Sequence, residues 1–577
     1  MIALLCGVLA CSVIDHANTR TSDDMRFTDV TIQSGVSGVL TSGSTPSTQV
    51  LEVKGGGLAL IDFDNDGDLD LFVPNGATLA DPNAGPGARL YRNDLISSDA
   101  SAASALHFTD VTTQSGITHR RWSFGATVGD VDGDGFDDIF IACFGPDVLL
   151  RNKGDGTFED ITQRAGVADP RWGTSAAFAD LDRDGDLDLY VCNYLDFDPA
   201  RPLAPANFKG VSVVAGPRGY PAAVDSLYEN RGDGTFIDRS DDSGIRRVSP
   251  GFGLNLAILD FTGDGKQDIY IANDSQANNL FRATGESALS FVDDGMRSGS
   301  AVNGEGSEQA SMGVAIADVD GNGRPDIFST NFSSDTNTLH LNLDGKSFDD
   351  RTNQFGLGAP SRPLVGWGAG FFDFDHDADE DVLIVNGHVY PQATKELMDS
   401  EYAQRPLLME RRGARFFPLT QAGEWKLEPH VDRTAVFADL DHDGDVDFVI
   451  AGLNQPLRVI RNDHASAIDD PRKDWLVVIP RDLRKGVGNR HAIGAEIRVQ
   501  QGSRVQRRWM VGGGPFQSNN APEVHFGLGG GEVAPVAADD NQTATAEKID
   551  VEVIFSDGVK VQLHDVAPGT RLFVDHP

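Results

Sequence analysis

The chain has 577 residues and a net charge of −39, with 40% hydrophobic residues, 64 glycines and four cysteines. One hydrophobic core does not extend over that length, so several domains or a repeat array is expected. The acidity argues against a nucleic-acid partner, and no run of about 20 apolar residues exists to span a bilayer as a helix.

Residues 1–20 open with MIALLCGVLAC, which is short, apolar and without a basic start, and they read as an export signal. Val8-Leu9-Ala10-Cys11 also spells a loose lipoprotein cleavage box, which would make Cys11 a lipid anchor. A plain secretory signal is the alternative. The first puts the chain at the cell surface, as a periplasmic or outer-membrane lipoprotein, and the second puts it outside the cell.

Further on, Asp62, Asp64, Asp66, Asp68 and Asp70 punctuate the nine residues DFDNDGDLD, followed by the apolar run Leu71-Phe72-Val73. The pattern returns six times. Its places 1, 3, 5, 7 and 9 are Asp130, Asp132, Asp134, Phe136 and Asp138; Asp180, Asp182, Asp184, Asp186 and Asp188; and Asp260, Thr262, Asp264, Lys266 and Asp268. The last three copies have Asp318, Asp320, Asn322, Arg324 and Asp326; Asp373, Asp375, Asp377, Asp379 and Asp381; and Asp439, Asp441, Asp443, Asp445 and Asp447. Calcium takes six to eight oxygens at about 2.3–2.6 Å with tolerant geometry. Acids at places 1, 3, 5 and 9 can curl around one such ion, with a main-chain carbonyl from place 7, and glycine at place 6 permits the left-handed turn. Up to seven Ca²⁺ ions are predicted. An apolar strand follows each loop where a helical calcium loop would carry its last glutamate, so the sites sit on β-turns.

The copies differ. Thr262 and Lys266 weaken the fourth, and Asn322 and Arg324 weaken the fifth, so these two are predicted to bind least tightly. In the sixth, Ala378 stands where the others have glycine. The seven loops hold 32 of the 87 acids, whereas from residue 471 onward acids and bases balance at 13 each. Without metal, these clustered carboxylates repel one another.

The loops recur every 50–80 residues, the scale of propeller blades. A glycine-bearing strand precedes each loop except the last. After each loop comes a strand, then a second one marked by sequences such as Leu90-Tyr91-Arg92-Asn93 or Leu149-Leu150-Arg151-Asn152. An outer strand then starts at Phe108, Phe158, Phe236, Phe291, Phe348 or Phe416. The same outer signature at Phe27 precedes the first loop, and none follows the seventh, whose unit ends at Asn462. Residues 27–31 can supply the missing strand and remove the exposed edge. The prediction is an all-β chain, with a seven-bladed β-propeller over 27–462 fastened by its first strand.

This pattern resembles the FG-GAP (VCBS-type) repeat of integrin α-chain propellers. Beyond Asn462 the loops stop, and strands are predicted at 475–479, 495–499, 505–511, 524–526, 549–555, 559–563 and 571–574, with 529–547 a loop. The segments NRHAIGAEIRV, VHFGLG and IDVEVIFSDGVKVQLHDVAPGTRLFV resemble the ASPIC/UnbV domain, which implies a β-sandwich-like unit over 470–577. With the NGHVYP and GPRGYP segments, residues 27–577 are similar to the cartilage acidic protein family and its bacterial relatives. The chain departs from that family at Gly512-Gly513-Gly514-Pro515-Phe516-Gln517-Ser518, where a Gly-Tyr-x-Ser-Gln type segment is usual.

Three long connections, 76–89, 194–226 and 387–406, project from one face. Asn75, Asn193, Asn273, Asn331 and Asn386 end strands, either as local caps or as a ring of amides at a channel mouth. Cys143 and Cys192 read as small apolar strand residues, a bridge being unforced. Arg231-Gly232-Asp233 repeats the turn grammar of Lys153-Gly154-Asp155. No metalloprotease, phosphate-loop or nucleophile-elbow motif occurs. The reading is an exported calcium-binding propeller acting as an adhesion or binding module for an extracellular glycan or protein. The alternative is a calcium-dependent polysaccharide lyase drawing on His388, Tyr390, Arg218 and Tyr220.

Overall fold

The computed structural model describes residues 27–95, 106–285, 289–464, 474–529 and 548–577. The export and lipid-anchor readings lie outside these residues, as does nearly all of the loop predicted at 529–547.

Seven antiparallel sheets follow the seven sequence units, each with four strands from its own repeat grammar. The first contains Ala59–Ile61, Asp70–Val73, Arg89–Asn93 and Phe108–Asp110. In every unit the aspartate loop joins the first strand to the second. The first strands are almost wholly buried, and completely so in Ser123–Gly129, Gly173–Ala179 and Gly253–Leu259. The seventh sheet is Asp432–Ala438, Asp447–Gly452 and Arg458–Asn462, completed by Phe27–Asp29 with Phe27 opposite Asn462. Phe27 is fully buried against Phe374, Trp425 and Phe448, so the latch is hydrophobic as well as hydrogen-bonded. Among the described residues, no sheet closes on itself.

Neighbouring sheets share their cores. Ile61 and Phe72 of the first pack with Val128 and Ile141 of the second, and Leu60 and Leu71 pack with Val436 and Val449 of the seventh. A second device joins the units. Each Asp at place 9 accepts two main-chain N–H groups: for Asp70 these are Phe63 N at 3.1 Å and Asn93 N at 2.8 Å. The asparagine that ends the third strand then reaches into the unit before it. Asn152 Nδ2 donates to Phe63 O at 2.8 Å, Asn230 to Val131 O, Asn342 to Phe261 O and Asn462 to Phe374 O. Asn93 Nδ2 donates to Leu440 O at 3.0 Å, which links the first unit to the seventh. Ala283 and Arg411 stand in this place in the fourth and sixth units, which lack the amide. Removing a buried donor leaves its carbonyl unpaired, at about 1–3 kcal/mol. Asn93→Ala is therefore expected to lower unfolding free energy by that amount in urea titration, and Arg92→Ala, on the outward side of the same strand, by less than about 1 kcal/mol.

The C-terminal unit has two sheets, one ordered Val524–Gly527, Trp475–Arg481, Thr570–Asp575 and the other Arg504–Trp509, Glu496–Gln501, Ile549–Ile554, Lys560–Val566. They face each other across a core that includes Leu476, Val478, Ile497, Val499, Phe526, Val551 and Val553. The strands predicted beyond Asn462 agree with these bounds to within a few residues. One element has no counterpart in the sequence reading: Gly512–Gly513 pairs with Gly253–Leu259 and becomes the fifth strand of the fourth sheet.

That pairing starts a segment that runs between the first strands of the repeat units. Asn255 Nδ2 donates to Gly514 O at 3.0 Å, and Gln517 N donates to Asn255 Oδ1. Ser518 Oγ lies 2.7 Å from Thr434 Oγ1 and accepts from Leu58 N, while Asn519 N donates to Leu58 O. Phe516 is fully buried with its ring 4.9 Å from Trp367. Residues 512–520 thus touch the first strands of the first, second, fourth, sixth and seventh units. Such an approach needs strands without side chains at the contact. A Cβ at Gly57 would overlap the Gln517 carbonyl oxygen.

Candidate metal centres

In each loop the fold turns the acidic side chains back on their own backbone. Asp62 accepts from Asp66 N and Gly67 N, and the same pair of bonds recurs at Asp130, Asp260 and Asp373. Place 6 is left-handed throughout: Gly67 has φ +95°, Gly135 +92°, Gly185 +98°, Gly265 +83°, Gly323 +83° and Gly444 +98°. Ala378 is forced to φ +72° there. A left-handed non-glycine residue costs roughly 1–2 kcal/mol, of which glycine's greater unfolded-state freedom takes back a part. Ala378→Gly is expected to raise the unfolding free energy by about 1 kcal/mol, read by denaturant titration in saturating calcium.

Carboxylate oxygens of Asp62, Asp64 and Asp66 lie within 4.8 Å of one another, as do those of Asp180, Asp182 and Asp184. In the other loops the place 9 aspartate takes part: Asp130, Asp132 and Asp138; Asp318, Asp320 and Asp326; Asp373, Asp375 and Asp381. Several of these oxygens are buried without a protein partner, among them Asp64 Oδ1, Asp132 Oδ1, Asp180 Oδ1, Asp318 Oδ1, Asp439 Oδ1 and Asp441 Oδ2. Buried carboxylate oxygens aimed at one point, and donors all of oxygen, suit a hard divalent cation. Burial, with the neighbouring carboxylates, pushes Asp62 and Asp130 up to about 6, Asp180 to about 7, and Asp268 and Asp326 to about 8.

The unequal copies look unequal. Lys266 Nζ lies 3.5 Å from Asp264 Oδ2 in the fourth loop, and Arg507 Nη1 donates to Gly323 O in the fifth. The loops also touch in series, as Asn65 Nδ2 donates to Gly135 O and His442 Nδ1 lies 3.8 Å from Asp68.

The C-terminal unit sits on this loop face. Gly488 N donates to Gly185 O, His491 Nε2 lies 2.7 Å from Asp137, Arg508 pairs with Glu380 at 3.0 Å, and Arg571 pairs with Asp439 at 2.9 Å and Glu523 at 2.6 Å. These ion pairs rim a cavity of about 200 Å³ whose walls are mostly apolar, including Val128, Ile316, Phe437 and Met510. Sequence reasoning passes over His491 and Arg571, and reads Arg507-Arg508 as a strand-surface pair, whereas Arg508 is buried against Glu380. The only mark of His491 and Arg571 is a local return to charge balance.

The opposite face carries the long connections. The five strand-ending asparagines act as local caps. Asn75 Nδ2 donates to Gly87 O, Asn193 Nδ2 to Val224 O, Asn273 Nδ2 to Ala277 O, Asn331 Nδ2 to Thr336 O and Asn386 Nδ2 to Arg405 O. Lys54 is buried there, 2.7 Å from Asp274 Oδ2, and fully buried Arg433 lies 4.0 Å from the Trp367 ring centre and donates to Val53 O and Gly387 O. His388 is fully buried, with Tyr390 N donating to its Nδ1, whereas Arg218 donates to Ser275 O and Tyr220 packs on Phe197. These four side chains form two separate groups. Cys143 and Cys192 are buried free thiols.

Comparison with known families matches FG-GAP-like repeats at residues 130–191, 260–329 and 318–384, and the ASPIC and UnbV model at 486–538. The chain thus carries FG-GAP-like repeats and an ASPIC/UnbV domain. It is homologous to cartilage acidic protein 1, at 26% identity to the Mus musculus protein over 314 residues and 25% to the Homo sapiens one. Those alignments take in 53% of this chain and 44% and 43% of the relatives, so the chain matches less than half of their length. Among solved structures it is similar to an Agrocybe aegerita lectin that recognises non-reducing terminal N-acetylglucosamine (16% identity, 66% of this chain and 89% of that one, TM-score 0.35). It is also similar to BBS1N solved in complex with ARL6DN (8% identity, 76% and 96%, TM-score 0.36). No helix among the described residues is long and apolar enough to cross a membrane.

Proposed function

We propose that residues 27–462 form a seven-bladed propeller stiffened by up to seven Ca²⁺ ions. Residues 470–577 are its ASPIC/UnbV domain, and the whole is an exported module that binds an extracellular glycan or protein. The thirty-five residues at places 1, 3, 5, 7 and 9 of the loops supply side-chain or main-chain oxygens. In this reading calcium rigidifies the blades and does no chemistry on the ligand.

One observation carries the choice of face. The C-terminal unit occupies the loop face and residues 512–520 fill the space between the inner strands, so the ligand meets the face with connections 76–89, 194–226 and 387–406. Half-buried Tyr220 and Tyr390 and exposed Arg218 lie on these connections, a mixture of aromatic bodies and polar tips that suits sugars or a protein surface. Export supports the calcium reading, because sites of this kind fill at about 10⁻⁴–10⁻³ M ion outside the cell.

The test is a glycan array and a pull-down from extracellular material, each with and without EDTA, comparing the full chain with a variant in which all three connections are shortened. Binding that is lost in both EDTA and the shortened variant is expected. Binding that survives the shortening sinks the choice of face.

A further inference from the structure

Between the sixth loop, the seventh loop and the C-terminal unit lies a nitrogen-rich cluster that the calcium reading does not use. His376 is fully buried at place 4 of the sixth loop, and His464, 2% exposed, has its ring 5.2 Å from it. His525, on Val524–Gly527 of the C-terminal unit, has its ring 5.0 Å from that of His376. Asp445 and Asp474 flank His376: its Nδ1 lies 3.2 Å from Asp474 Oδ1, and its Nε2 lies 3.1 Å from Asp445 Oδ1.

The pattern of satisfied and unsatisfied nitrogens is specific. His525 Nε2 bonds to Gly444 O at 2.9 Å, so that nitrogen carries the proton and Nδ1 presents a lone pair. That Nδ1 is buried with no partner. His376 lies between two carboxylates, its Nδ1 3.2 Å from Asp474 Oδ1 and its Nε2 3.1 Å from Asp445 Oδ1. A metal-bound histidine almost always gives its second ring N–H to a carboxylate or a backbone carbonyl. Both histidines have that outer partner, one of each kind; the other nitrogen of His525 is left over, and that of His376 faces the Asp445 carboxylate at 3.1 Å.

We infer that this cluster is a site for one zinc-class divalent transition-metal ion, ligated by His525 Nδ1, His376 Nε2 and the Asp445 carboxylate, with His464 alongside. Imidazole and carboxylate donors together select such ions, whereas the oxygen-only loops select calcium. The ion would tie two repeat units to the C-terminal unit. Asp445 serves both sites with different atoms, its main-chain carbonyl toward calcium and its side chain toward the histidines.

Cobalt(II) tests this, because a site with nitrogen donors and low coordination gives strong visible absorption. The full chain is kept in millimolar calcium, stripped with a nitrogen-donor chelator that removes zinc and leaves calcium, and titrated with Co²⁺. One equivalent is expected to bind with visible absorption, displaced by Zn²⁺ and unaffected by further calcium. His525→Gln is expected to weaken it at least tenfold. Asp474→Asn, which keeps a polar partner for His376 and disturbs folding least, should weaken it about 10–100-fold. No cobalt uptake by the wild-type chain overturns the inference, as does full-strength binding in either variant. In those cases the cluster is a protonated His376 held between two carboxylates.

Discussion

Chelation with EDTA is expected to lower the melting temperature of the full chain by at least about 10 °C, and restoring calcium should reverse the loss. The magnitude follows from linkage. An ion at ten times its dissociation constant stabilises the folded state by about 1.4 kcal/mol per site, so seven loops together contribute on the order of 10 kcal/mol. The repulsion among the carboxylates returns when the ion leaves. pH gives the sign independently. Burial and neighbouring acids raise the folded-state values of Asp62, Asp130, Asp180, Asp268 and Asp326 to between about 6 and about 8, above the ordinary value near 4. Over that window the metal-free folded state holds more protons than the unfolded chain, so its stability falls as pH rises from about 4 to about 8. The calcium-free protein should therefore melt higher at pH 5 than at pH 8. With calcium saturating, the order should reverse, because the ion replaces the protons. Calorimetric scans at the two pH values, with and without calcium, check both statements. Equal melting temperatures with and without EDTA, and no metal by elemental analysis, would remove the basis of the calcium reading.

The second large effect concerns residues 512–520. Gly57→Ala places a methyl group onto the Gln517 carbonyl oxygen, just ahead of the strand Ala59–Ile61, where Gly57 N is held by Phe124 O. The segment must leave its place. Phe516 is then uncovered, and burying that ring alone is worth roughly 3–5 kcal/mol. The expected result is release of the C-terminal unit from the loop face, seen as faster proteolysis near residue 470 and a larger radius of gyration by small-angle scattering. Gly67→Ala is the control: a Cβ there meets nothing within 4 Å, so it should strain its own turn and leave the C-terminal unit in place. If Gly57→Ala leaves both readouts unchanged, the segment does not hold the two parts together.

Local grammar made much of this fold legible. The phenylalanines that open outer strands, the aspartate loops and the early strand at Phe27 each depend on residues close in sequence, or on a count that must balance. The C-terminal strands were equally plain, because alternation marks them. The asparagine at the end of five of the third strands is visible as a letter but not as a function, since its partner carbonyl belongs to another unit, 89 and 88 residues away in the second and seventh cases. Residues 512–518 were noticed only as a departure from a family pattern. Three glycines and a proline look like a loop, and nothing in them says that two of the glycines pair with Gly253–Leu259. His376 looked like filler at an unconstrained loop place, and its role depends on His525, 149 residues later.

The strand Phe27–Asp29 waits longest for its partner. It is made first, yet the residues it pairs with, Ile460 to Asn462, are made some 430 residues later. Until they emerge, a hydrophobic edge led by Phe27 stays open, and the stretch between the two can add sheets without settling their final register. Completion of the repeat array is thus tied to the arrival of its last strand, Arg458–Asn462.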